Sequence, residues 1–141
     1  MRRAQDRVAK LADNLYRNRG STDEKLEYED AVISFFQIAW HLKDWIRSDT
    51  SLNRAQRDGI LSRVEHDPIL GICADIANRT KHRLLTRSRM DAVLDSSSPS
   101  SVEPDWEQYV VAPDGVRRDA ATATRLICDV WDGILRGPGV L

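Results

Sequence analysis

Two short words of the sequence hold the residues best suited to chemistry. His41 and Asp44 stand in His-Leu-Lys-Asp-Trp at 41–45; Asp75, Asn78 and His82 stand in Asp-Ile-Ala-Asn-Arg-Thr-Lys-His at 75–82. Both words interrupt apolar helical patterns, where an ionisable group is costly unless partnered. Helical spacing aligns Asp30, Ser34, Gln37, His41, Asp44 and Ser48 on one stripe, and Asp75, Asn78 and His82 on another. If the two helices pack side by side, the stripes bring two imidazoles and two carboxylates together.

Three chemistries use such a grouping. Metal binding is the first, because facing helices of bundles supply ligands in this way. The di-iron pattern is built on Glu, however, and neither word contains one, so no metal ligand and no cofactor is assigned, and a metal-binding helical bundle stands as an alternative reading. General acid–base work is the second: His82 or His41 exchanges a proton, Asp75 or Asp44 orients it, and Asn78 or Lys81 steadies developing negative charge. A phosphodiester suits that site, since Arg79, Lys81, Arg83, Arg87 and Arg89 follow one another without an intervening acid and such a run attracts backbone phosphates. The same cations also fit a helix C-terminus with no ligand at all. The third reading is structural, with His41 bonded to Asp75 or Asn78 to fix the register of the helix pair.

The elements that must position these residues are helical. Ala4, Val8, Leu11, Ala12 and Leu15 predict a one-faced helix over 4–18, closed by Asn18-Arg19-Gly20. Ser21-Thr22-Asp23 caps a second, long helix with Glu24 and Glu27 near its positive end. Tyr28, Val32, Phe35, Ala39, Leu42 and Ile46 form its apolar stripe, widened by Ala31, Ile38 and Trp45, and it is expected to be central. A more polar helix is predicted over 52–65. His66-Asp67-Pro68 marks a break and restart, and a fourth helix runs from Pro68 to about Leu85 on Ile69, Ile72, Cys73, Ile76, Ala77 and Leu84. Ser96-Ser97-Ser98-Pro99-Ser100-Ser101 lies in an expected mobile loop at about 95–104. Residues 90–94 and 106–111 around it can pair as a small hairpin. A last helix over 117–136 carries Ala123, Ile127, Val130, Trp131 and Ile134 and stops at Gly137-Pro138-Gly139. The expected architecture is mainly α: a four- to five-helix bundle with a small hairpin before the last helix.

The chain of 141 residues is expected to form one domain, residues 1–141. Its formal charge of −1 leaves any nucleic-acid attraction to local patches. Cys73 and Cys128 sit in apolar helical patterns and read as buried free thiols. No run approaches the ~18 apolar residues of a membrane span, and the start lacks a signal peptide's apolar region. A soluble, cytoplasmic protein with no membrane partner is expected. His66 reads as an exposed cap. The four tryptophans read as core or core-edge anchors, with Trp40 off the main stripe and a candidate for a partner surface.

A long central helix, a facing helix ending in Asn-Arg-Thr-Lys-His at 78–82, and a closing amphipathic helix resemble the layout of the HEPN superfamily of small helical bundles. That superfamily includes toxin and defence ribonucleases and non-catalytic members. The resemblance implies an RNA- or protein-binding module, with a homodimer and metal-independent RNA cleavage among its forms. Arg79, Lys81 and His82 are the positions it points to. Catalytic members place an Arg, four to six residues and then a His on one helix; here Arg79 and His82 are separated by two.

Overall fold

The computed structural model describes residues 1–18, 20–82, 93–95, 108–111 and 116–137, with residues 80–82 and 93–95 described by backbone alone. Five helices occur among them: α1 (Arg2–Asn18), α2 (Thr22–Ser48), α3 (Arg54–His66), α4 (Pro68–His82) and α5 (Ala120–Leu135). Strands β1 (Val93–Asp95), β2 (Tyr109–Val111) and β3 (Arg117–Asp119) form one antiparallel sheet in that order. The expected helical bundle with a hairpin before its last helix is therefore the fold. The Ser-rich stretch at 96–101 and the end of the expected fourth helix beyond His82 lie outside the described residues.

Local capping chemistry explains most helix starts. Ser21 Oγ accepts from Glu24 N at 3.3 Å while Glu24 Oε2 accepts from Ser21 N at 2.7 Å, a capping box that satisfies two otherwise unpaired amides of α2. Asn53 and Gln56 repeat that exchange at 2.9 and 3.0 Å, so α3 begins at Arg54 and not at 52. At the break before α4, Asp67 Oδ1 accepts from Ile69 N and Leu70 N at 2.8 and 3.1 Å, and Pro68 takes the first helical position, where its missing N–H costs nothing. The tight joint between α1 and α2 needs Gly20, because a Cβ there would overlap the buried Leu15 side chain.

The start of the last helix differs from expectation. Residues Arg117–Asp119, expected as its first turn, are instead extended and pair with β2 in the register Tyr109↔Asp119, Val110↔Arg118 and Val111↔Arg117. Asp119 then caps α5 through Thr122 N at 2.7 Å, and Ala120 N donates to Gln108 O at 2.7 Å. A backbone pairing with the preceding strand thus outcompetes the helical register, and the hairpin gains a third strand.

Around α2 the buried arc also turns away from the expected stripe. It runs through Tyr28, Ala31, Val32, Phe35, Phe36, Ala39, Trp40 and Ile46, because α1, α3, α4 and α5 all pack on this helix. Trp40, expected off the stripe, is core; Ile38 and Trp45, expected to widen the stripe, are 43% and 72% exposed. The most enclosed segment belongs to α4, where every residue from Leu70 to Ala77 is buried. Its small residues Gly71, Cys73, Ala74 and Ala77 let neighbours approach closely, and the Cys73 thiol donates to the Phe36 carbonyl of α2 at 3.4 Å. Both cysteines are free and buried. Across the bundle, Arg2 joins α1 to α5 through Asp129 at 3.1 Å and Asp132 at 2.7 Å.

Candidate functional site

Helices α2 and α4 pack against each other, as the pairing of the two polar words requires. The words nevertheless occupy different environments. In the first, the His41 side chain is 51% exposed and its Nδ1 lies 3.1 Å from Asp44 Oδ2, one turn along the same helix. Asp44 accepts in addition from Arg47 Nη1 at 2.8 Å, and Ser48 Oγ donates to the Asp44 carbonyl at 3.0 Å. The result is an exposed His41–Asp44–Arg47 chain along the surface of α2.

In the second word Asp75 is 1% exposed, inside the enclosed segment of α4, and takes part in a polar interaction. Asn78 is half-buried and Arg79 exposed. Lys81 and His82 belong to the last turn of α4, and their side chains lie outside the described residues. The structure thus brings His41 and Asp44 together at a surface and sets Asp75 in the core. Among the described residues no three or more His, Cys, Asp and Glu side chains converge as metal ligands would, and no helix is long and apolar enough to cross a membrane.

Electrostatics in the first word follow from its geometry. The bond from His41 holds the Asp44 carboxyl below the ordinary aspartate range, and the positive charges of Lys43 and Arg47 act in the same direction. Because the folded state depresses this group, the pairing stabilises the fold fully above the pKa of an unfolded aspartate and is lost as pH falls through the folded value. An NMR titration of the side-chain carboxyls should therefore find Asp44 titrating below a solvated aspartate, and His41→Ala should move it upward. An Asp44 midpoint that does not respond to that substitution would mean that the two side chains do not meet in solution.

The exposed face carries a feature that spacing alone did not reveal. Ser34, Ile38, His41 and Trp45 follow one another at steps of four, three and four on the open side of α2, so the imidazole stands between two apolar side chains. Lys43 leans the other way, its Nζ 3.9 Å from the centre of the buried Trp40 ring. Trp45 adds an exposed aromatic plane one turn from His41, while Arg47, which lies around the helix from Trp45, is tied to Asp44 one turn back. Their sequence signal is faint, since an apolar residue beside a helical core stripe usually extends it. His66, by contrast, behaves as expected: it is exposed and its Nδ1 lies 2.7 Å from Ser62 O at the end of α3.

Comparison with known protein families, with curated proteins and with solved structures returns no match. What the site can do rests on its own geometry.

Proposed function

We propose that this domain is a HEPN-like helical module that binds RNA through the exposed face of α2, with Trp45 as a stacking platform beside the His41–Asp44–Arg47 chain. The observation that carries this reading is Trp45 itself, 72% exposed and one helical turn from His41 on the open side of α2. An exposed indole accepts an unpaired base on its π face, and a neighbouring guanidinium neutralises the phosphate that follows. Arg79, exposed near the end of the helix packed on α2, adds a further cation, and Lys81 is the next basic position in the sequence. Double-stranded RNA offers no such open base, so a single strand is the favoured partner.

Cleavage is the enzymatic form of the same reading. Asp44 holds His41 through Nδ1, which leaves Nε2 to take the proton of a ribose 2′-hydroxyl. The 2′-oxygen attacks the adjacent phosphorus to give a 2′,3′-cyclic phosphate, and the 5′-oxygen departs with a proton drawn from water or returned by the imidazolium. Arg47 stabilises charge on the phosphate, and His82 and Asn78 are the further positions that the sequence pattern supplies, whereas Asp75 is enclosed in the core. No metal enters this scheme.

Fluorescence polarisation with a labelled uridine-rich oligonucleotide tests the proposal. Trp45→Ala should weaken binding by roughly 5- to 150-fold, corresponding to about 1–3 kcal/mol for a stacked base, and affinity should fall steeply with salt. Full-length oligonucleotide after incubation would restrict the domain to binding. If the unmodified protein retains no oligonucleotide at low salt, the RNA reading fails. Concentration-dependent self-association abolished by Trp45→Ala would then assign the same face to a second copy of the chain.

A further inference from the structure

Exposed carboxylates crowd the first half of α2. Asp23, Glu24, Glu27, Glu29 and Asp30 all stand in solvent there, a concentration of negative charge that repels a polyanion such as RNA. The second half carries Lys43 and Arg47, and both are already engaged. Arg47 Nη1 lies 2.8 Å from Asp44 Oδ1, and Lys43 leans over the buried Trp40 ring. With a neutral imidazole, the His41–Asp44–Arg47 chain therefore holds one positive and one negative charge and exerts little net pull on a phosphate.

His41 is the member of that chain whose charge can change near neutral pH. A guanidinium is permanently charged. Asp44 stays ionised across the range in which an imidazole titrates, because the bond from His41 and the charges of Lys43 and Arg47 hold its carboxyl below the ordinary aspartate range. Nδ1 of His41 lies 3.1 Å from Asp44 Oδ2, with the side chain half in solvent, so one ring nitrogen is committed and Nε2 is left for a ligand. An imidazolium donates from both nitrogens: one proton goes to Asp44, the other to a phosphate oxygen next to a base on Trp45, one turn along the helix. On the helices packed against α2, Arg7 of α1 pairs with Glu27 at 3.1 Å, Arg57 of α3 donates to the Asp49 carbonyl at 3.1 Å, and Asp129 and Asp132 of α5 hold Arg2. On α4, Asp75 is enclosed and Arg79 exposed. Among the described residues, Asp44 is thus the charged group that answers the His41 ring.

We infer that His41 is a pH-controlled phosphate contact. On the RNA reading of this face, on which the inference rests, the domain holds a single strand tightly while the imidazole is charged and loosens its hold as the ring loses its proton. Cleavage through Nε2 needs the neutral ring. Binding and cleavage on this face therefore have opposite pH preferences.

Fluorescence polarisation of the full chain with a labelled oligouridylate, whose bases do not titrate in this range, tests the inference at about pH 5.5 and about pH 8. The unmodified protein should bind about three- to tenfold more tightly at the lower pH, between the effect of a surface ion pair and that of a charge-assisted hydrogen bond. The slope of log affinity against log salt should also be steeper there by about 0.7, the signature of one more phosphate contact on a single strand. His41→Gln should bind at both pH values about as the unmodified protein does at the higher one, and should lose the difference in slope. His66→Gln should keep both effects, since His66 lies at the far end of α3. Salt-sensitive binding of equal strength at the two pH values overturns the inference and leaves the RNA reading standing. So does a pH dependence that survives His41→Gln, which would move the titrating group to His82 or another base. Failure to retain the oligonucleotide at either pH overturns the RNA reading, and this inference with it.

Discussion

Trp131→Ala should destabilise the domain by about 3–5 kcal/mol, the range for removing a large aromatic side chain from a packed core. Trp131 is fully buried on α5 and heads the largest enclosed side chains, with Tyr28, Phe35 and Phe36 from α2 in the same core cluster. Removing the indole opens a cavity at the centre of the bundle, which the α1–α5 ion pairs of Arg2 at the surface cannot refill. Domains hold only about 5–15 kcal/mol of total stability, so the midpoint of thermal unfolding should fall by roughly 10–20 °C. Trp131→Phe offers a sharper contrast. The indole Nε1 is buried and meets no acceptor among the described residues, an arrangement that itself costs free energy. Phenylalanine deletes that unpaired donor while keeping much of the volume, so its loss should be well below that of alanine. Urea denaturation of the two variants measures the difference. Equal losses would show that the pyrrole ring's volume outweighs its unpaired N–H.

The second large effect separates the two polar words. Asp75→Ala should cost about 1–3 kcal/mol, because it strips a buried polar interaction and leaves its partner unsatisfied, whereas His41→Ala should stay within about 0.5 kcal/mol, as surface substitutions do. The reason is placement: Asp75 is 1% exposed within the enclosed run of α4, and the His41 side chain is half in solvent on α2. Asp75→Asn retains an acceptor oxygen and should recover part of the loss if Asp75 accepts a hydrogen bond. Full loss in the Asn variant would instead identify a buried ionic partner, whose charge a neutral amide leaves uncompensated. A scaffold built on both words predicts equal losses for His41→Ala and Asp75→Ala. RNA binding that falls with Trp45→Ala or His41→Ala at unchanged stability assigns the α2 face to function and leaves Asp75 to structure.

Much of the architecture was written in local chemistry. The capping box of Ser21 and Glu24 and the Asp67-Pro68 restart involve residues a few positions apart, so their effect is visible without knowing what packs where. The periodicity of α1 and α5 was legible for the same reason: each has a single apolar face, and Val8, Leu15, Ile127 and Trp131 are buried as their spacing requires. The juxtaposition of His41 and Asp44 is likewise one helical turn, and one turn is local.

Tertiary structure decided which way each surface faces. The apolar residues of α2 cover more of its circumference than one neighbour can bury. Only the packing of α1, α3, α4 and α5 around it chose to bury Phe36 and Trp40 and to leave Ile38 and Trp45 in solvent. Arg117–Asp119 carries no strand periodicity, and its conformation depends on backbone pairing with β2. Periodicity along a chain specifies how wide an apolar face is; where that face points is set by contacts between residues far apart in sequence.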